Sequence, residues 1–416
     1  MFSLLNIRIG FFLAIRQIKR ASLWTTGLIV FVMVLTFLNL VVVSGILVGL
    51  IEGSIDGWHK QYTGDIMASN PNNKDYIENS YNLLGILQNT PEVESVSPRF
   101  IKGVTLEANY QTKKDTDKAN IASGQLVGIN PSAEDKLTGL GSHILEGSYL
   151  EPGDYDKVIL GYFLLDRYLT IDNADMATLK NVYIGTKLRL SVNGVQREVI
   201  VKGILKSKID NVSRGIYMVD SEARNLIGAK GNFGQIAVKL KNGADVDAVK
   251  QKLILSGADN SAKIQTYVDA QPKFLKDIIN TFNMLGNVLS SIGLVVASIT
   301  IFIVIFINAL TRRKFIGILK GIGIDGQAIE ISYIFQSIFY AVCGSAVGFV
   351  LVYALLVPTF MAHPIDFPFS DGILVAPLGQ TVVRMGLLVL ATVIAGYIPA
   401  RMIVRKNTLD SILGRN

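Results

Sequence analysis

Few residues of this chain are spaced for covalent chemistry. Its 416 residues contain no G-x-x-x-x-G-K-[ST] phosphate loop, no G-x-S-x-G elbow and no H-E-x-x-H pair, so P-loop nucleotide binding and the corresponding hydrolase and metalloprotease arrangements are not open to it. The single cysteine, Cys343, and the three histidines, His59, His143 and His363, are scattered along the chain. They supply neither a disulfide nor a structural zinc set, and no metal, cofactor or catalytic residue is assigned. What is spaced for work is a contact surface, the basic, glycine-punctuated stretch 311–326. On a helix, Phe315, Ile318, Leu319 and Ile322 follow the i, i+3, i+4, i+7 spacing of one apolar stripe, with Arg313 and Lys320 on another face. The chemistry such a helix offers is docking, through apolar and cationic contacts with a soluble partner. The competing reading is a basic loop that serves only as a topology signal.

The elements that must position this stretch are membrane helices. Half of the residues are hydrophobic, and the excess lies in four apolar windows, 23–51, 282–310, 329–357 and 378–398. Each meets the roughly 20-residue length needed to span a bilayer. The net charge of +7 is unevenly placed: residues 51–277 carry 27 Lys/Arg against 28 Asp/Glu, and the remainder carries 13 against 5. The basicity is therefore a topology signal and implies no nucleic-acid partner. Arg8, Arg16, Lys19 and Arg20 precede the first window, Arg312, Arg313, Lys314 and Lys320 lie between the second and third, and Arg401, Arg405, Lys406 and Arg415 follow the fourth, whereas 358–377 has no Lys or Arg. Every segment agrees on one orientation, with both termini and the middle connector in the cytoplasm.

The fold class expected is an α-helical membrane protein with four transmembrane helices in a 1+3 arrangement and a large extracytoplasmic α+β domain between the first and second. The expected boundaries are a cytoplasmic amphipathic helix over 1–21, a first span over 22–52, the outer domain with stalk ends over 53–277, a second span over 278–310 and the connector over 311–327. A third span over 328–357, a short outer loop over 358–377, a fourth span over 378–400 and a cytoplasmic tail over 401–416 complete the chain. Leu4, Ile7, Phe11, Ile15 and Ile18 form the stripe of a helix lying in the membrane interface. A signal peptide is disfavoured, because the apolar run of about 29 residues exceeds the usual length and lacks an Ala-x-Ala-like site. Trp58 is expected at the outer interface, Asn39 in a hydrogen bond between helices, and Arg384 snorkelling to the outer interface. Gly286, Gly293 and Ser290 permit close helix approach, and the G-x-x-x-G pair Gly344 and Gly348 serves either internal packing or dimerisation.

Between these windows the texture is that of an α+β domain large enough to bury its own core. Strands are expected over 93–106, 125–129, 187–192, 195–205, 215–219, 235–240 and 264–268, and helices over 79–88, 163–169, 221–226 and 246–255. Asn193-Gly194 is a type I′ hairpin signal, because both positions need positive φ. The tract 111–120, with Lys113, Lys114, Asp115, Asp117 and Lys118, reads as an exposed loop or hairpin tip.

The run Arg313-Lys-Phe-Ile-Gly-Ile-Leu-Lys-Gly-Ile-Gly323, followed by Gln336, Gly344 and Gly348 in the third window, resembles the connector of FtsX-like ABC-transporter permeases, which include macrolide-exporter and lipoprotein-releasing permeases. In that family the segment commonly reads arginine, a variable residue, then Glu-Ile-Gly-Ile-Leu-Lys-Ala-Ile-Gly. Phe315 stands in place of the glutamate and Gly321 in place of the alanine. The segments 14–20, 126–131, 144–153, 158–161, 201–204 and 396–401 resemble the opening, the MacB-like outer core domain and the ending of the same family, with Thr408 where a later proline is usual.

The resemblance implies that Arg312, Arg313, Lys314, Phe315, Ile316, Gly317, Ile318, Leu319, Lys320, Gly321, Ile322 and Gly323 form a coupling helix that docks on a separate cytoplasmic ABC ATPase, where ATP and magnesium are bound. It implies a permease-only subunit, not an enzyme, in the cytoplasmic membrane of a bacterium. Its function would be to extrude or release a drug, peptide, lipid or lipoprotein by moving the outer domain. The partners implied are a second permease copy or paralogue, membrane lipid, and a periplasmic adaptor or lipoprotein. The alternative is a signalling permease that regulates a cell-wall hydrolase, disfavoured by the size of the outer domain. No residue singles out the substrate.

Overall fold

The structure is a computed structural model that describes residues 3–71, 73–114, 118–169, 177–228, 231–363, 365–367, 370–372 and 374–405. It divides into two compact units, one of residues 1–51, 277–367 and 371–416 and the other of residues 52–276 and 368–370. Among the described residues, four helices are long and apolar enough to cross a membrane: Leu23–Thr63, Lys273–Thr311, Gly326–Ala362 and Leu378–Val404.

In the helical unit the third long helix is the hub, because it packs on the amino-terminal helix Leu4–Lys19 and on the first and fourth long helices. Small residues make this approach feasible. A Cβ on Gly344 would run into Met33 and one on Gly348 into Phe37, so the G-x-x-x-G pair is used for internal packing. Gly396 of the fourth helix meets Ser337 in the same way. The amino-terminal helix turns Asn6, Gly10, Leu13, Ala14 and Gln17 inward, and Gln336 Nε2 donates to Gln17 Oε1 at 2.7 Å. Its stripe of Leu4, Ile7, Phe11 and Ile15 stays exposed, as suits a helix lying in an interface.

The second long helix buries only the line Gly293, Ala297, Ile301, Ile305 and Ala309. Gly286 lies against Leu47, and Ser290 exchanges a 2.8 Å hydrogen bond with Ser44. Asn39 departs from expectation: its side chain makes no hydrogen bond among the described residues, and its amide oxygen covers Gly293, 3.0 Å from where a Cβ would sit. The helix-to-helix bond expected of it is made one turn on, by Ser44. Asn39–Val43 and Val352–Leu356 are π-helical, and Leu40, Val41 and Val352 share one apolar cluster with Phe37 and Leu388.

Among the described residues the second unit is a mixed α+β structure of ten strands: β1 Ile66–Ser69, β2 Val93–Glu107, β3 Ile121–Ile129, β4 Ile144–Gly147, β5 Lys157–Gly161, β6 Lys187–Val192, β7 Val195–Leu205, β8 Gly215–Val219, β9 Gln235–Leu240 and β10 Lys263–Thr266. Neighbours run β10-β1-β9-β2-β3-β8-β5-β7-β4, and β6 pairs with both β2 and β7. The pairings β2-β3-β8-β5-β7-β6-β2 therefore close a ring, from which β9, β1 and β10 extend as a wing. The 15-residue β2 serves both parts, pairing with β9 over residues 93–99 and with β3 over 99–107. The hairpin joining β6 and β7 has Asn193 at φ 49° and Gly194 at φ 82°, as its sequence requires.

Two expectations fail here. The segment 163–169 forms two 3-10 turns, Tyr162–Leu164 and Asp166–Tyr168, instead of a helix. Trp58 is no interfacial anchor: it is 4% exposed and packs with Tyr62, Ile209 and Val212 in the second unit, because the first helix stays helical to Thr63. Strands β1, β4 and β5, of four or five residues, were too short to stand out by periodicity, as was the helix Pro131–Thr138. Residues 115–117 of the charged tract and 406–416 of the tail lie outside the described residues.

Candidate functional site

The connector is the helix Arg313–Gly321, set between the second and third long helices. Its end is fixed by a Schellman motif: Ile324 N donates to Leu319 O at 3.0 Å and Gly323 N to Lys320 O at 3.1 Å. Gly323 has φ 93°, which an L side chain rarely adopts, so the glycine there has a geometric reason. Asp325 then caps the third long helix by accepting from Gln327 N at 3.0 Å, and its other oxygen accepts from Asn6 Nδ2 at 2.7 Å. The connector is thereby tied to the amino-terminal helix.

The expected apolar stripe divides in two. Ile316 and Leu319 are buried, at 3% and 7% exposure, in a cluster with Ala400, Ile403 and Val404 of the fourth helix. Phe315, Ile318 and Ile322 are 47%, 52% and 71% exposed and form the outward face, beside exposed Lys314. Leu319 therefore belongs to the anchor of the helix and not to its outward face. A single helical step of 100° separates Ile318 from Leu319, and both are apolar, so only the fourth helix decides which turns inward.

Lys320 is likewise tied to the fourth helix, since its Nζ donates to Val404 O at 3.0 Å. Gly317 is buried, and Arg312 and Arg313 are half-buried. At Gly321 nothing lies within 4 Å of a Cβ, so the departure from alanine meets no steric demand. Beside Lys320 a cavity of about 500 Å³ is lined by Asp325, Glu330, Tyr397, Arg401 and Arg405. Glu330, only 8% exposed, was missed by sequence reading. Its signal is an acid at the start of an apolar run, facing the arginines that close the last one.

A second feature sequence reading missed lies where the first long helix roots in the α+β unit. Arg99 and Glu134, both buried, form a two-pronged pair with Nε to Oε2 at 2.9 Å and Nη2 to Oε1 at 2.7 Å. Ser97 Oγ adds a 2.6 Å bond to the same carboxylate, and the guanidinium lies 5.1 Å from the ring centre of Tyr62. Tyr62 donates to Gln235 Oε1 at 3.1 Å, and Gln61 accepts from Ser207 Oγ at 2.6 Å. Such an arrangement fastens the helix end to β2, β9 and the β7–β8 connection.

Comparison with known proteins places these features in a family. Residues 26–254 match the MacB-like periplasmic core domain, and residues 287–408 match the FtsX-like permease C-terminal domain. The chain is 25% identical over 279 residues to an uncharacterized ABC transporter permease of Methanocaldococcus jannaschii, covering 66% of each protein. It is 24% identical over 208 residues to the macrolide export ATP-binding/permease protein MacB 1 of Yersinia pestis, covering 49% of this chain but 31% of that one. Among solved structures, the periplasmic region of MacB from Actinobacillus actinomycetemcomitans aligns with 52% of this chain and 94% of its own, at 18% identity and a TM-score of 0.36. Four helices able to span a membrane, one match that covers more than half the sequence and a second that takes in the connector identify the chain as a multi-pass membrane protein of the FtsX-like ABC-transporter permease family, with a MacB-like core domain.

Proposed function

We propose that this permease couples ATP hydrolysis by a separate cytoplasmic ABC ATPase to movement of its α+β domain on the outer side of the membrane, and so extrudes or releases a substrate. The reading is supported above all by the connector, whose exposed Phe315, Ile318 and Ile322 stand on a helix held from behind by Ile316 and Leu319. Apolar side chains turned outward from a rigid mount suit a groove on a soluble partner. In this reading ATP and magnesium are held by that partner, and no phosphate loop occurs among these 416 residues. The arrangement we infer is 1+3, with both termini and the connector in the cytoplasm and the α+β unit outside, in the cytoplasmic membrane. The working unit pairs this chain with a second permease copy or a paralogue. Drugs, peptides, lipids and lipoproteins are the substrate classes, and a periplasmic adaptor or lipoprotein is the outer partner.

The test is Ile318→Asp at matched membrane abundance. It places a carboxylate in the dry contact and is expected to cost several kcal/mol of ATPase binding, measured by recovery of the ATPase with the affinity-purified permease. Lys314→Ala, at the rim of the same face, is expected to cost about 1 kcal/mol or less. Equal recovery with wild type and Ile318→Asp would withdraw the assignment.

A further inference from the structure

One of the helices able to cross a membrane carries, near its start, a charge that no described residue answers. Arg384 lies six residues into the fourth long helix, about 9 Å from its first residue at the 1.5 Å helical rise, and it makes no hydrogen bond or ion pair among the described residues. It lines a cleft of about 880 Å³ between the first, second and fourth long helices, at the end of the bundle away from the basic connector. Across the cleft stand Asn283 and Asn287 of the second helix, with Ser291 beyond them and Gln380 one turn before Arg384. Ser291 is turned back onto Asn287 O at 2.9 Å, whereas the amides of Asn283, Asn287 and Gln380 have no partner among the described residues. Among the described residues, no carboxylate lines the cleft.

In a spanning bundle an ionised side chain is expected to pair, to reach water or to meet a ligand, and unsatisfied amides carry a similar cost. A guanidinium offers a planar fork that suits a phosphate or carboxylate, and neighbouring amides can donate to the remaining oxygens. Ser44 and Ser290, which also line the cleft, are bonded to each other, and the rest of the wall is mainly apolar, with Leu40, Leu47, Leu294 and Leu387. It continues onto the exposed apolar surface of the second helix, where Val288, Ile292, Val295 and Val296 face outward. A charged end beside a long apolar surface matches an amphiphile and offers nothing to the tail of a soluble anion.

We propose that this cleft is a binding site for the anionic headgroup of a membrane amphiphile, with Arg384 and the amides of Asn283, Asn287 and Gln380 on the phosphate and the acyl chains along the second helix. The site rests on the membrane reading of the bundle and not on coupling to an ATPase, so failure of either leaves the other standing.

The experiment uses the full chain in nanodiscs of phosphatidylcholine containing a minor fraction of phosphatidylglycerol, with the lipids that remain bound after detergent transfer counted by native mass spectrometry. Wild type should retain phosphatidylglycerol in preference to phosphatidylcholine. Arg384→Gln should weaken that preference by roughly tenfold, the scale of one lost charge-assisted contact, and Arg384→Lys should recover part of it. Lys118→Gln, which removes an equal charge from the α+β unit, should match wild type. Thermal melting of each variant shows whether the fold is kept, and the double variant Asn283→Ala/Asn287→Ala, which leaves the charge in place, should also lose selectivity. Equal retention by wild type, Arg384→Gln and the double variant overturns the proposal. Displacement of the lipid by millimolar glycerol phosphate also overturns it, since a soluble anion would then suffice.

Discussion

At the scale of single residues, Asp154 shows how the α+β unit is held against acid. Burial by itself would raise its carboxyl, but hydrogen bonds from Lys157 and Lys202 and from the Glu151 amide overcome that and hold it at about 2, below the ordinary 3.8. A carboxyl depressed on folding contributes stability that is complete above its unfolded value and is lost as pH falls from about 4 toward 2. At neutral pH the contribution is at most about 2 kcal/mol. We expect Asp154→Asn in a fragment of residues 55–272 to lower the urea midpoint at pH 7 and to flatten the acid limb between pH 4 and 2. An unchanged midpoint and limb would mean that the two lysines gain nothing from this carboxylate. None of this was legible in sequence, because Asp154 and Lys202 are 48 residues apart and meet only through the sheet. Asn193-Gly194 was legible, since a two-residue turn carries its geometry in its own two residues.

At the scale of elements, the connector shows both what a periodic pattern tells and where it stops. The apolar stripe specified a helix of the observed kind, whose end the structure sets at Gly323. Its inward half was set by the fourth helix, whose Ile403 and Val404 are more than 80 residues away. The consequence is a division of labour between adjacent positions. Leu319→Ala removes a side chain from a packed cluster and should lower the stability of the helical unit by about 2–4 kcal/mol. Ile318→Ala removes one from an exposed face and should leave stability within about 0.5 kcal/mol of wild type. The thermal midpoints of both variants in the same detergent check this, and equal losses would mean that the connector packs on its other face. The long strand β2 teaches the same lesson for the sheet. Its β-rich run was readable, but its division between wing and closed ring depends on β6 and β9, each set by distant chain.

At the scale of the whole molecule, the four apolar windows and the near-neutral tract between the first two were legible because each property is summed over 20 residues or more. Charge asymmetry adds an orientation that helix geometry lacks. With Cys343→Ala as background, a cysteine at Asn193 or Lys114 should react with an impermeant maleimide in cells whose outer barrier has been removed, and one at Lys314 should not. Equal labelling of all three would remove the 1+3 arrangement. The proposed function also requires transmission of ATP turnover from the connector to the α+β unit. Its most direct test is the distance between spin labels at Asn193 and Leu378, measured by pulsed electron resonance on the ATPase-bound permease in nanodiscs. We predict that the distribution shifts when ATP is bound, returns after hydrolysis, and does not respond in Ile318→Asp. The same distribution in nucleotide-free and ATP-bound states, with the ATPase attached and turning over, would contradict the account.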